Sequence, residues 1–194
     1  SSMDDLQSLK SALEDLQARL REEIRQKNEL ERRCHLLEKL AYRDPSSGLR
    51  TETYLHARVT EEIERSIRYP SSTTLITFAA PEKGEDILFN VGRRLEEELR
   101  ASDQVFSLST QGLAVLLVET PEDGAQTVLD RIKGDLEQFM RGYGYTVTSF
   151  PVDANLADDF LKLAMDRHNS VARQLNPNAP EAVVKRENKK IEKR

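Results

Sequence analysis

Residues 100–118 read Arg100-Ala101-Ser102-Asp103-Gln104-Val105-Phe106-Ser107-Leu108-Ser109-Thr110-Gln111-Gly112-Leu113-Ala114-Val115-Leu116-Leu117-Val118. Two β-rich runs, Asp103–Ser109 and Leu113–Val118, flank Thr110-Gln111-Gly112, which predicts a hairpin. Downstream, Thr120-Pro121-Glu122-Asp123 predicts a helix start, with a capping threonine, a proline at the first position and acids in the first turn. That helix should run to about Met140. Gly142 and Gly144 close it, Tyr145–Phe150 follows as a strand, and Ala154 to about Leu175 as a last helix. Upstream, Ile87, Leu88, Val91, Leu95 and Leu99 share one helical face after a turn at Pro81–Gly84. Thr73–Ala80 reads as a short buried strand. Thr51–Tyr69 reads as a helix with Tyr54, Leu55, Val59, Ile63 and Ile67 at helical spacing, closed by Pro70-Ser71-Ser72. The order helix, strand, helix, strand, strand, helix, strand, helix predicts an α/β sandwich with an antiparallel hairpin at its centre.

The rest of the 194 residues is an extension at each end. Residues 4–43 hold nine acids, nine bases and no Gly or Pro. Leu6, Leu9, Leu13, Leu16 and Leu20 alternate steps of three and four, and Leu30, Cys34, Leu37 and Ala41 continue the frame, the period of a coiled coil. Glu23 and Lys27 fall on the seam, with Ile24 beside it, so the middle is weak. Arg33 and Glu38 occupy positions that pair attractively between parallel chains. Forty helical residues span roughly 60 Å, and such a rod buries its seam only against a partner, which predicts a parallel homodimer. The competing expectation is a solvated helix folded back on the domain. Three segments follow: 1–43 a coiled-coil helix, 44–175 a globular domain, and 176–194 a charged, flexible tail.

Composition removes several functions. One Cys excludes a disulfide framework and suggests a reducing compartment. No apolar run approaches the ~20 residues of a membrane helix, nothing at the N-terminus resembles a signal peptide, and the location expected is cytoplasmic. With −5 net charge and −8 on residues 44–180, the chain lacks the basic surplus of a nucleic-acid binder. Cys34 and His35 have no partners at ligand spacing and are assigned no chemistry.

Asp44-Pro45-Ser46-Ser47-Gly48-Leu49, after a helix ending Leu40-Ala41-Tyr42-Arg43, resembles the opening motif of GGDEF domains, the diguanylate cyclases that make cyclic di-GMP from two GTP. The element order over about residues 40–170 agrees, as does Arg100-Ala101-Ser102-Asp103 leading into a hairpin whose second strand is Leu113–Leu117. The departures bear on activity. Where the family has its Gly-Gly-Asp/Glu-Glu-Phe turn, this chain has Ser109-Thr110-Gln111-Gly112-Leu113. The family's glycines let backbone approach GTP, and its acid binds metal. The first strand, Leu75–Ala80, offers no second metal-binding acid, and the segment bearing the guanine-recognising Asn and Asp has no room before Glu85. Phosphoryl transfer relies on positioned metal and charge neutralisation, so the resemblance implies a degenerate domain, not an enzyme, with no cofactor.

The family also has an inhibitory product site, an Arg-x-x-Asp motif before the hairpin. Arg100 and Asp103 match it, and Arg131 stands where some members supply a further arginine. The resemblance therefore implies a cyclic di-GMP receptor using Arg100, Asp103 and Arg131, of the kind found in exopolysaccharide secretion and biofilm signalling, with an unknown downstream protein partner. Each residue also has a plain structural reading. An arginine complements a helix C-terminus, an aspartate opens a turn, and Arg131 is solvated beside Asp130. Two other functions compete, a ligand-free dimerisation scaffold and residual activity on GTP. Asp158 and Asp159, with Asp153 nearby, read as partners of a helix N-terminus rather than a metal site. His56 and His168 read as exposed helical histidines, and Tyr143 and Tyr145 as the start of a strand.

Overall fold

The structure, a computed structural model, describes residues 1–44, 47–81, 85–109 and 112–177, without the side chains of 35, 38–41 and 85. The turn residues Thr110 and Gln111, Pro45-Ser46, the 82–84 turn and the tail from 178 onward lie outside the described residues. The chain divides into two compact units, Ser1–Tyr42 and Arg43–Arg194.

The first unit is one helix, α1 (Ser2–Ala41), with Asp4 and Asp5 in its first turn. Its charges pair within the helix, Arg25 with Glu22, Lys27 with Glu31 and Arg33 with Glu29. Its apolar stripe faces water, Leu6, Leu9, Leu13, Leu16, Leu20 and Leu30 each being more than half exposed.

The second unit contains α2 (Glu52–Arg68), β1 (Thr73–Ala79), α3 (Glu85–Glu98), β2 (Gln104–Leu108), β3 (Gly112–Leu117), α4 (Glu122–Phe139), β4 (Gly144–Phe150) and α5 (Ala157–Leu175). The element order is the expected one. The sheet is antiparallel throughout, in the order β2-β3-β1-β4. The hairpin is not central: β2 lies at an edge, and β1 sits inside, with Ile76 opposite Val115 on one side and Val147 on the other. That place explains why all seven β1 residues, three of them threonines, are buried: an inner strand is covered on both faces by helices.

Because side chains alternate along a strand, the sheet feeds two cores. Ile76, Phe78, Val105, Leu113, Val115 and Leu117 pack beneath Val91 and Leu95 of α3 and Leu129, Ile132 and Leu136 of α4. Leu75, Phe106, Ala114 and Leu116 pack beneath Leu55, Val59 and Ile63 of α2 and Phe160 and Ala164 of α5. The result is a sheet between two helical layers.

Both sheet edges are closed locally. Ser107 donates its N–H to the Arg50 carbonyl at 2.8 Å, so the segment before α2 straps the edge of β2. On β4, Arg167 Nη1 donates to the Val147 carbonyl at 2.9 Å and Asp153 Oδ2 accepts the Ser149 N–H at 2.7 Å. Side chains thus occupy groups that would otherwise template another strand.

Two helix starts differ from expectation. Thr120 does not cap α4: Pro121 is the N-cap residue, and Thr120 Oγ1 donates to the Val118 carbonyl at 2.8 Å. The last helix begins at Ala157, not Ala154, because Asp153 is spent holding Ser149. Thr51, by contrast, caps α2 by accepting the Tyr54 N–H at 3.3 Å.

Candidate functional site

The β2–β3 hairpin has two ends, and the sequence places candidate chemistry at both. At the open end, α3 stops at Glu98 and the chain turns into β2. The turn is closed by Asp103 donating its N–H to the Arg100 carbonyl at 3.0 Å. Asp103 Oδ1 accepts the Val118 N–H at 3.3 Å, which ties the start of β2 to the end of β3. Arg131 reaches this turn from α4, donating Nη2 to the Glu98 carbonyl at 2.8 Å, one of the carbonyls a helix end leaves unsatisfied.

The three residues named from sequence therefore lie about one turn, which Arg100 and Asp103 close and whose preceding Glu98 carbonyl Arg131 reaches. Burial pushes the Asp103 carboxyl above its ordinary value, outweighing the hydrogen bonds to its charged form and the positive charges of Arg100 and Arg131. Arg100 and Arg131 are exposed, and Asp103 is half-buried. The arrangement leaves two exposed arginines near one half-buried carboxylate. The structural readings also have their counterparts, since Arg131 satisfies a helix end and Asp103 spans two strands.

At the turn end, Ser109 donates both its N–H (3.2 Å) and its Oγ (2.6 Å) to Glu52 Oε2, from the first turn of α2. His168 of α5 is buried beneath this end, which corrects the expectation of an exposed histidine; His56 is exposed as expected. Burial pushes the His168 imidazole down to about 4, against the opposing pull of the Glu52 carboxylate. Gly112 is required by space: a β-carbon there would lie 2.4 Å from the Phe78 carbonyl oxygen and 2.5 Å from His168 Cε1. β1 ends at Ala79, which is buried together with the following Ala80. Among the described residues, no group of three or more His, Cys, Asp or Glu is placed to hold a metal ion.

The remaining candidates settle into the scaffold. Asp158 and Asp159 lie in the first turn of α5, Asp153 pairs with Arg167 at 3.3 Å, and β4 starts between Tyr143 and Tyr145. Sequence reasoning missed Glu52 and His168, whose partners lie far away along the chain, and Arg65 and Glu119, taken up below. No helix among the described residues is long and apolar enough to cross a membrane.

A fold with a β2-β3-β1-β4 antiparallel sheet, helices on both faces and this turn-to-strand arrangement is that of GGDEF domains. The domain matches the GGDEF domain of YfiN (TpbB) from Pseudomonas aeruginosa with a TM-score of 0.58 at 17% identity, over 66% of this chain and 92% of that one. Diguanylate cyclase SiaD of the same organism, solved in complex with its activator SiaC, matches over 92% of this chain and 76% of its own, with a TM-score of 0.59 and 21% identity. A microbial GGDEF domain solved for its interaction with cyclic di-GMP matches at 0.60 and 14% identity, over 70% of this chain and 92% of that one. No family model matches the sequence, and no curated protein does. The likeness is one of fold.

Proposed function

We propose that the protein is a catalytically inactive GGDEF-type receptor for cyclic di-GMP, binding through Arg100, Asp103 and Arg131. The observation that carries this reading is the approach of Arg131, from α4, to the turn in which Arg100 precedes the half-buried Asp103 carboxylate. A guanidinium donates two hydrogen bonds to guanine O6 and N7, as arginine does when it reads guanine in DNA. The Asp103 carboxylate accepts from guanine N1 and N2, and the second arginine clamps a phosphate or stacks on a base. Inactivity is supported by the absence of any acid in Thr73–Ala80 and by the Ser109–Gly112 sequence of the turn.

The receptor would act in the cytoplasm as a parallel homodimer through α1, whose exposed leucine stripe is the support for that pairing. Sedimentation should give a dimer, and Leu13→Asn a monomer. A parallel pair sets the two exposed Cys34 thiols against each other, so mild oxidation should link the chains, and an absence of linking would sink the parallel arrangement. A solved GGDEF neighbour has a protein activator, and a downstream protein partner is proposed here too.

Calorimetric titration of the wild type and Arg100→Ala with cyclic di-GMP and with GTP tests the reading. Micromolar or tighter binding of cyclic di-GMP, lost in the variant, is expected. No heat with either nucleotide would leave a dimerisation scaffold, the reading favoured by Arg131 capping α3. Turnover of GTP with magnesium would refute inactivity.

A further inference from the structure

The group that holds Asp103 is the Val118 N–H, and the turn supplying it is unusual. Glu119 has φ +49°, the one positive φ at a non-glycine position among the described residues. A residue with a β-carbon adopts that backbone at a cost, so neighbouring contacts must over-determine it. They do. Thr120 Oγ1 donates to the Val118 carbonyl at 2.8 Å, Thr120 N–H donates to the Ser72 carbonyl at 2.9 Å, and Thr74 Oγ1 donates to the Thr120 carbonyl at 2.8 Å. These bonds fix the residues after the left-handed position.

Glu119 itself joins an ion pair from another layer, between two exposed side chains. Arg65 Nη2 on α2 donates to Glu119 Oε1. Arg65 is steadied in turn by Glu62 at 3.5 Å, and Glu62, a buried acid, is held by Arg58 Nη2 at 3.0 Å. Arg58 also donates Nε to Gln104 Oε1 at 3.0 Å, the residue next to Asp103. A chain of charge-assisted bonds thus runs from α2 to Gln104 and Glu119, the residues that follow Asp103 and its partner Val118.

We propose that Arg65 and Glu119 are positioning residues for Asp103: their ion pair holds the left-handed turn that aims the Val118 N–H at Oδ1, leaving Oδ2 directed by that bond toward a ligand. Neither residue touches the ligand. Loosening the turn lets the carboxylate rotate, so recognition suffers while the fold stays intact. Only the binding half of the test rests on the cyclic di-GMP reading.

The experiment uses the full chain, with Arg65→Ala and Glu119→Ala, each of which removes one partner of the ion pair. Amide NMR across a pH titration follows the Val118 N–H, whose shift reports ionisation of the carboxylate it is bonded to. In the wild type this resonance should move with Asp103, at a midpoint above the ordinary aspartate value. In both variants the movement should fall to less than about half, and the affinity for cyclic di-GMP should drop about fivefold, the loss of roughly one oriented hydrogen bond. A wild-type Val118 titration in both variants overturns the positioning role, whatever the nucleotide does. A diminished titration in a protein that binds no nucleotide upholds the positioning role and refutes the receptor. If one variant fails to fold, the other decides alone.

Discussion

The two ends of the β2–β3 hairpin are built from the same two strands and have opposite characters. At the turn end, Gly112 is wedged against the Phe78 carbonyl and the His168 ring, and Ser109 is held by Glu52. At the open end, Arg100 and Arg131 are exposed around a carboxylate that is only half-buried. Space is filled at the turn end, and exposed arginines gather at the other. Packing and charge therefore divide the hairpin, and under the proposed function the open end is the binding end.

That division makes its own tests, because changes at the turn end should register in stability and changes at the open end in binding. The largest effect belongs to Gly112→Ala. Its new methyl meets a backbone carbonyl of the central strand that cannot step aside, and a loss of about 3 kcal/mol or more is expected by urea unfolding. A loss under about 1 kcal/mol would mean the turn end is looser than its contacts imply.

Next comes pH. The His168 imidazole is lowered from 6.5 to about 4 in the folded state, so on acidification the unfolded chain takes up the proton first. Stability is full above about pH 6.5 and is lost progressively as pH falls to about 4, by about 3 kcal/mol for this group. Unfolding free energies of the wild type and His168→Leu, followed across that window, should differ in slope, the variant being flatter.

The open end behaves differently. Arg131→Ala removes one hydrogen bond to a helix-end carbonyl that water can replace, so the expected cost is under about 1 kcal/mol, again by urea unfolding. The same variant should lose most of its affinity for cyclic di-GMP in calorimetry. The smallest stability change is expected for Asp103→Asn. The amide oxygen still accepts the Val118 N–H and the desolvated charge is gone, so thermal unfolding at neutral pH should be unchanged or slightly higher. The sign follows from the raised Asp103 pKa: keeping the group ionised at neutral pH works against folding, and stability rises as pH falls through the folded value. A Tm drop of several degrees would instead show that the charge itself holds the two strands together.

Much of this was readable along the chain. The helices α2 to α5 follow from apolar residues at helical spacing, and Arg100 and Asp103 are three residues apart. Arg131 is 28 positions from Asp103, and it could be named only through a resemblance. His168 illustrates the opposite failure. Its neighbours on α5 include Asp166, Arg167 and Asn169, so its local surroundings read as a solvated helix face. Its burial comes from Gly112, 56 positions earlier, whose missing β-carbon makes room for the ring. Thr120 was misread because a threonine before Pro-Glu-Asp suits a cap, whereas the left-handed Glu119 turns its hydroxyl back to Val118.

The sequence by itself determined the order of the elements, the leucine stripe of α1, the lack of acids on the first strand and the non-GGDEF residues of the turn. Those properties are local: they depend on residue type and on periods of two, three and a half, or 3.6. Only the tertiary structure decided which strands are internal, that Arg131 reaches the turn holding Arg100 and Asp103, that His168 is buried, and that Arg65 reaches Glu119 across 54 residues. Each depends on how layers stack, because desolvation and ion pairing act through space over a few ångströms, whatever the separation along the chain.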